Sequence, residues 1–263
     1  MLYIVATPIG NLKEITQRAI EVLSSVEYIL CEDTRTSRVL LDAYNIKKHL
    51  KAYHKFNEAK ASVDVLEDLI SGKDIALISD AGMPGISDPG NILIKQLIEN
   101  NLEYTIVSGA SAFVNAFVMS GYDTPFTFVG FLPDNNTKCK ELLSSLASVS
   151  STLIFYCSPH SITDDLKKMY DALGDRKICV VREISKKFEE KTFSTLSAGY
   201  TGTIKGEFVV IVDKPQKASH ENSIDEDLKV LLSMGISKTD ASKVLAKARG
   251  LKKNEVYQNA IEH

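Results

Sequence analysis

Apolar positions in the first part of the chain come in two alternating patterns. Short unbroken apolar runs, Leu2–Ala6, Tyr28–Cys31 and Ile75–Ile78, have the length and character of buried strands. Leu50–His54 and Tyr104–Val107 read as two further strands. Between these runs, apolar residues recur at helical spacing. One stripe is Ile15, Ala19, Val22, Leu23 and Val26; others fall in Ser37–Tyr44, in Val63–Ile70 before Gly72, after a cap at Asn91, and in Phe113–Val118. Strands alternating with helices over residues 1–120 predict an α/β domain with a largely parallel, doubly wound sheet.

The run Ile75–Ile78 breaks into Ser79, Asp80, Gly82, Pro84, Gly85, Asp88, Pro89 and Gly90. That much Gly and Pro excludes a regular element and predicts a long shaped loop. A loop of small residues at the carboxyl end of a sheet strand lets a ligand touch backbone, which makes it a small-molecule site. The plain alternative is a connection that happens to be Gly-rich, although a loop this long in a compact domain is usually functional.

Gly121–Pro125 interrupts the alternation, so a second domain is expected over 121–216. Its strands, Phe126–Phe131, Thr152–Tyr156, Ile178–Val181, Lys191–Ser194 and Glu207–Val212, lie closer together. With a helix around Leu142, Leu143 and Leu146 and another over Ile162–Leu173, this half reads as α+β with antiparallel pairing. Lys214–Asn222 is polar and reads as a linker. Over 217–263 the layout is helix, Gly235, helix, Gly250, helix. Leu228, Leu231 and Leu232 mark the first helix; Ala241, Val244, Leu245 and Ala248 the second, after a capping-box match at Ser237 and Asp240; Val256, Tyr257, Ala260 and Ile261 the third, from Asn254. This is a helix-turn-helix pattern. From Lys238 to Lys253 six basic residues face one acidic residue, so Lys243, Lys247, Arg249, Lys252 and Lys253 are candidate RNA contacts; a solvated face on a small bundle is the bland alternative.

Charge and composition narrow the classes. A formal net charge of −3 over 263 residues is no global nucleic-acid signature, so any RNA affinity must be local. No apolar run is long enough to span a bilayer, no secretory signal is expected after Met1, and a cytoplasmic protein is predicted. Cys31, Cys139, Cys157 and Cys179 form no CxxC pair and read as reduced core residues. The five histidines show no ligand spacing, so no metal site is expected. The dinucleotide fingerprint and the Walker phosphate loop are both absent. What remains is a set of strand-end loops of small residues, Thr7–Gly10, Ser79–Gly85 and Ser108–Ala112, suited to a modest-sized cofactor held by backbone groups.

Four segments, Ala6–Leu12, Cys31–Arg35, Ser79–Gly90 and Gly206–Val212, together resemble the ribosomal-RNA-methylating members of the tetrapyrrole (corrin/porphyrin) methylase superfamily. The resemblance spans Met1 to about Val212, and the tail resembles the helix-turn-helix extension of the same group. It implies two α/β domains with S-adenosylmethionine folded into the cleft between them, usually in a homodimer. The implied reaction is methylation of a cytidine ribose 2′-hydroxyl in the decoding region of small-subunit ribosomal RNA, on free RNA or on the assembled subunit. Position by position, the implied cofactor shell is Pro8, Asp80, Ala81, Gly82, Met83, Ile86, Ser111 and Ala112, with Tyr156, Cys157, Arg182, Glu183, Gly206 and Glu207 from the second domain. The sequence departs from the family pattern in the proline-free Ser108–Ser111 and in Asp134–Lys138 and Ser161, where arginines are usual; this weakens expected phosphate contacts.

Methyl transfer to a ribose hydroxyl needs alignment and help with the departing proton. Glu32 and Asp33, following the second strand, are the candidate bases, with Arg35 to pair a phosphate or steady a carboxylate. The alternative for Glu32–Arg35 is a helix start whose acids satisfy the dipole. His54, with Asn57 and Glu58 close behind, is a further candidate for facing RNA. Two rival functions stand beside this one: methylation of a tetrapyrrole carbon on the same fold, and a non-catalytic RNA-binding assembly factor.

Overall fold

The computed structural model describes residues 1–215, 224–249, 251–252 and 256. It forms two compact units, Met1–Lys214 and Pro215–His263. The first unit begins with a five-stranded sheet of β1 (Leu2–Val5), β2 (Tyr28–Cys31), β3 (His49–Ala52), β4 (Ile75–Leu77) and β5 (Tyr104–Val107), in the order β3-β2-β4-β1-β5. Every pairing is parallel. Both faces are covered, which is why β1, β2 and β4 are apolar throughout. Leu2, Ile4, Leu30, Ile75 and Leu77 point to one face, against Val65 and Leu69 of α3 (Glu58–Ile70) and Leu93 and Leu97 of α4 (Asn91–Glu99). Val5, Ile29, Cys31 and Ala76 point to the other, against Ala19 and Leu23 of α1 (Gln17–Ser25) and Leu41 of α2 (Thr34–Ala43). The neighbouring strands β1 and β4 therefore send their helices to opposite faces. That is a topological switch point, where a crevice opens at the carboxyl ends of the strands.

The second sheet holds β6 (Phe126–Phe131), β7 (Thr152–Cys157), β8 (Lys177–Arg182), β9 (Glu190–Thr195) and β10 (Phe208–Val212), in the order β6-β7-β10-β8-β9. Only β6 runs parallel to its neighbour; the other pairings are antiparallel. Leu153, Phe155, Val180 and Val210 pack under α6 (Asn136–Leu146) and α7 (Ile162–Leu173). The opposite face, with Ile154, Cys179, Val209 and Ile211, is covered by α5 (Ala112–Ser120) through Phe113, Ala116 and Phe117. The last helix of the first βα series thus packs on the second sheet. Its sequence is apolar nearly all round, yet only one side is covered: Val114 and Val118 face solvent.

Several helices start earlier than their apolar stripes suggest. Asp33 caps α2 by accepting from Arg35 N at 2.8 Å, and Asn135 caps α6 by accepting from Lys138 N at 3.0 Å. These first turns are polar and carry no periodic signal. Asn91 is not a cap: Gly90 holds that position, and the Asn91 amide donates to Gly85 O at 3.1 Å. In the second unit, α8 (Ile224–Ser233) and α9 (Lys238–Arg249) pack through Leu228, Ala241, Leu245 and Ala246, joined by Val256. Val244, expected inward, is 52% exposed. Ser237 Oγ accepts from Asp240 N at 3.2 Å and donates to the Asp240 carboxylate at 2.7 Å. The 216–222 part of the expected linker, Gly250, Lys253, Asn254, Tyr257, Ala260 and Ile261 lie outside the described residues.

Gly90 has φ +135°, and a Cβ there would meet Leu77 Cδ2 at 3.0 Å. Gly90→Ala should therefore lower the unfolding free energy by about 1–3 kcal/mol, from backbone strain at a position no L-residue favours. Urea denaturation measures this; a loss within error would mean that the turn relaxes freely.

Candidate functional site

The site is built where β1 and β4 end. Thr7 N donates to Gly82 O at 2.9 Å and Gly82 N to Thr7 O at 3.2 Å, an isolated antiparallel bridge between the two loops. Thr7 Oγ1 adds a bond to Ser79 O at 3.1 Å, and Ser79 Oγ one to Gly82 O at 3.2 Å. The loops are thus fixed to each other through backbone. Above them lies a cavity of about 310 Å³, at the lower end of the size usual for cofactor sites.

Eleven of the fourteen residues expected in a cofactor shell line this cavity. Asp80, Ala81, Gly82, Met83 and Ile86 come from the loop after β4, and Ser111 and Ala112 from the start of α5. Tyr156 and Cys157 come from the end of β7, and Gly206 and Glu207 from the approach to β10. Residues separated by more than a hundred positions converge because α5 bridges the two sheets. Pro8, Arg182 and Glu183 do not line it. Pro8 is buried beside Ile9, which does reach the cavity. Arg182 is turned toward β9, bonding Glu190 Oε2 through Nε at 3.1 Å and Nη2 at 2.9 Å. Glu183 shapes the wall: its Oε1 accepts from Glu207 N at 2.9 Å and from Lys186 Nζ at 2.9 Å. Burial opposes ionisation of Glu183, but the Lys186 bond and the Glu207 amide hold its carboxyl below the ordinary value.

Ser87, Asp88, Phe131, Ser158, Ile184 and Val209 also line the cavity and were missed. Asp88 and Ser87 lay inside the loop already singled out, so the signal was present. Ile184 and Val209 looked like plain core. The lining is mainly apolar (Ile9, Met83, Ile86, Phe131, Ile184 and Val209), with three carboxylates, Asp80, Asp88 and Glu207. Burial pushes the Cys157 thiol up, with Asp165 adding to it, so Cys157 is a neutral wall residue. Burial likewise raises the Tyr156 phenol to about 12.

The carboxylates behind the cavity differ sharply. Asp33 is taken by its own helix: Arg35 bonds it through side chain and backbone, which holds its carboxyl at about 2. The Asp33–Arg35 pair is a helix cap with an exposed partner, Arg35 being 90% exposed. Glu32 is raised by burial and by Asp80, and His54 and Lys55 partly offset this. Asp80 is raised by burial, although it accepts a bond from Asp33 N at 3.2 Å. Asp88 is pushed up to about 7, first by burial and then by Glu32 and Asp80. His54 sits beside Glu32, and its Nδ1 is buried without a hydrogen-bond partner among the described residues. Its backbone N–H donates to Asn57 Oδ1 at 2.8 Å, closing the loop.

In the second unit Lys247 and Lys252 are exposed, and Lys243 pairs loosely with Asp240 at 3.4 Å. Arg249 departs from expectation. Its side chain is only 9% exposed and pairs with Asp227, so it ties α9 to α8 instead of reaching into solvent. Among the described residues, no cluster of His, Cys, Asp and Glu is placed to hold a metal ion, and no helix is long and apolar enough to cross a membrane.

The family model for Tetrapyrrole (Corrin/Porphyrin) Methylases matches residues 1–198. A protein of Mycoplasmopsis pulmonis named ribosomal RNA small subunit methyltransferase I is 44% identical over 222 residues, covering 80% of this chain and 96% of its own length. One of the same name from Halalkalibacterium halodurans is 38% identical over 268 residues, covering 97% and 93%. Among solved structures, uroporphyrin-III C-methyl transferase from Thermus thermophilus, complexed with S-adenyl homocysteine, superposes with a TM-score of 0.58 at 16% identity, covering 80% of this chain and 96% of that one. The match of profile, of full-length relatives and of fold has one conclusion: the chain belongs to the tetrapyrrole (corrin/porphyrin) methylase family.

Proposed function

We propose that this chain is an S-adenosylmethionine-dependent methyltransferase of small-subunit ribosomal RNA, acting on a cytidine ribose 2′-hydroxyl in the decoding region. The observation that carries the reading is the cavity, apolar in its walls and acidic at three points, in a chain 38–44% identical to proteins named ribosomal RNA small subunit methyltransferase I. The lining fits the cofactor. Apolar side chains suit an adenosyl group, and the carboxylates of Asp80 and Glu207 favour a cation. When bound, S-adenosylmethionine supplies an electrophilic methyl group on a positively charged sulfur.

The residues of this chain do the rest. Ile9, Met83, Ile86 and Val209 exclude water, while the bridged loops hold backbone groups in place before any ligand arrives. Preorganisation of this kind lowers the entropic cost of aligning two reactants. Glu183 and Lys186 fix the Gly206–Glu207 wall, and Arg182 anchors β8 to β9 behind it. Glu32 has His54 and Lys55 near it, two groups able to meet RNA. Lys243, Lys247 and Lys252 add phosphate affinity from the second unit.

A homodimer is part of the same proposal. Tyr104 (38% exposed) and Ile106 (44%) on the edge strand β5, Val114 (42%) and Val118 (73%) on α5, and Phe126 (39%) on β6 present apolar surface to solvent. An edge strand and a helix face that both carry exposed apolar residues suit self-association. Val118→Lys should weaken self-association by roughly 100-fold, since an unpaired charge in an interface costs about 3 kcal/mol or more. Light scattering at micromolar concentration should then give twice the chain mass for the wild type and a single chain mass for the variant.

Ala112→Phe places a ring in the cavity. It should weaken S-adenosylmethionine binding by roughly 5- to 150-fold, the equivalent of about 1–3 kcal/mol of overpacking, as read by calorimetry. Unchanged affinity would place the cofactor elsewhere.

Labelled cofactor incubated with small subunits, free RNA or a tetrapyrrole decides the acceptor. The expected product is RNA in which one phosphodiester bond has become alkali-resistant, as 2′-O-methylation requires. Label on the tetrapyrrole alone would establish the rival chemistry, and absence of thermal stabilisation by the cofactor would favour a binding protein.

A further inference from the structure

Asp88 is placed and supported unlike the other acids of this region. It lines the cavity, whereas Glu32 and Asp33 do not. Its loop is fastened on both sides: Gly90 N donates to Glu58 Oε2 at 3.4 Å, and the Asn91 amide holds Gly85 O. The Ser79 hydroxyl reaches its carboxylate. Ser87, immediately before it, has φ +65°, a conformation a non-glycine residue keeps only when its surroundings enforce it, and such residues cluster at functional sites.

The groups facing Asp88 can be named element by element. From the end of β2 comes Glu32, which has His54 and Lys55 beyond it; from the β4 loop, Asp80 and Ser79; from α3, Glu58 at the Gly90 amide. From the second sheet come Tyr156, which feels the charges of Asp88 and Glu207, and Phe131, a cavity neighbour. The charged groups acting most strongly on Asp88 itself, Glu32 and Asp80, are both acidic.

We propose that Asp88 is the proton acceptor of methyl transfer, its carboxylate taking the proton of the ribose 2′-hydroxyl at the cavity. The proposal rests on the methyltransferase reading above. The ribose oxygen bonds to the methyl carbon as the carbon–sulfur bond breaks, and that electron pair stays on sulfur. The hydroxyl proton ends on Asp88 and passes to water after product leaves. Glu32 and Asp80 are positioning residues here: burial raises the proton affinity of Asp88 most, and their charges carry it further toward neutrality, where a base is both available and effective.

Binding, turnover, pH-dependence and NMR measurements on the full chain test this. Asp88→Asn is close to isosteric. It should bind S-adenosylhomocysteine within about threefold of wild type by calorimetry, while single-turnover methylation of small subunits falls by about 100- to 10,000-fold, the range of a lost general base. Wild-type turnover should fall as pH drops below neutrality, because Asp88 takes up a proton there, and the bound cationic cofactor sets that limb below the value of about 7 of the free protein. Glu32→Gln removes a neighbouring negative charge, lowers the proton affinity of Asp88 and moves that limb to lower pH. Carbon-13 NMR should show one aspartate carboxyl titrating near neutrality in the wild type and missing in Asp88→Asn. The proposal is overturned if Asp88→Asn keeps turnover within tenfold, if it loses cofactor binding in step with turnover, or if no such carboxyl titrates. A wild type that binds the cofactor yet labels no RNA breaks the underlying reading instead, and it does so without any variant.

Discussion

Two backbone hydrogen bonds between Thr7 and Gly82 govern this architecture. A parallel sheet leaves the last peptide groups of its strands without ladder partners, and buried ones must be satisfied. Here β1 and β4 satisfy each other one step past their ends, and Thr7 is only 1% exposed as a result. The bridge requires Gly82 to sit at φ +85°, which only glycine adopts at little cost; space is not the reason, since a Cβ there would make ordinary contact with Ile9 at 3.5 Å. With the bridge in place, the remainder of the β4 loop must arch over the sheet edge to reach α4. That arch carries Met83, Ile86, Asp88 and the Glu58-bound Gly90 into one wall.

How much of this was legible in the sequence follows from what kind of signal each feature leaves. The strands of the first sheet were visible because two-sided burial leaves unbroken apolar runs, as in Ile75–Ile78. The loop after β4 was visible because Gly and Pro have few other uses at that density. The first turns of α2, α3 and α6 were not, because capped polar turns carry no periodicity. Pairing partners were hidden as well. Of the two roles open to Arg35, pairing a phosphate or steadying a carboxylate, the structure has it steady Asp33; Arg249 looked like part of a basic face, yet it pairs with Asp227 inside its own unit. A one-dimensional pattern shows that a charge exists and not what stands opposite it. Asp88 lay in the most informative stretch and was passed over, since one of the two acids acting on it, Glu32, comes from the end of another strand.

The charge arrangement sets a physical problem that the proposed function has to solve. Phosphates are repelled by a pocket carrying Asp80, Asp88 and Glu207, with Glu32 close behind. Over a few ångströms the repulsion is substantial, but beyond about 8–10 Å in physiological salt it is largely screened. A ribose hydroxyl can therefore enter while its flanking phosphates remain outside, and a cationic cofactor already seated would reverse the sign of the field at the reacting oxygen. Affinity for the polyanion then has to come from groups away from the cavity. The loop after β3 offers Lys55 and Phe56, the ring being 86% exposed with Lys55 Nζ 5.0 Å from its centroid, and the second unit offers Lys247 and Lys252.

This division of labour also accounts for the departures from the family pattern. The resemblance implies arginines in Asp134–Lys138 and at Ser161, and the cavity wall near them is built from Phe131, Ser158 and Pro159, which need no positive charge to pack. Losing a cation outside the pocket weakens a long-range attraction that salt already attenuates, whereas losing a wall residue would disturb the alignment of donor and acceptor directly. Alignment within a pocket tolerates less error than attraction toward it. The chain can vary in how strongly it gathers RNA while the bridge, the arch and the acidic pocket are held fixed by packing and by backbone hydrogen bonds.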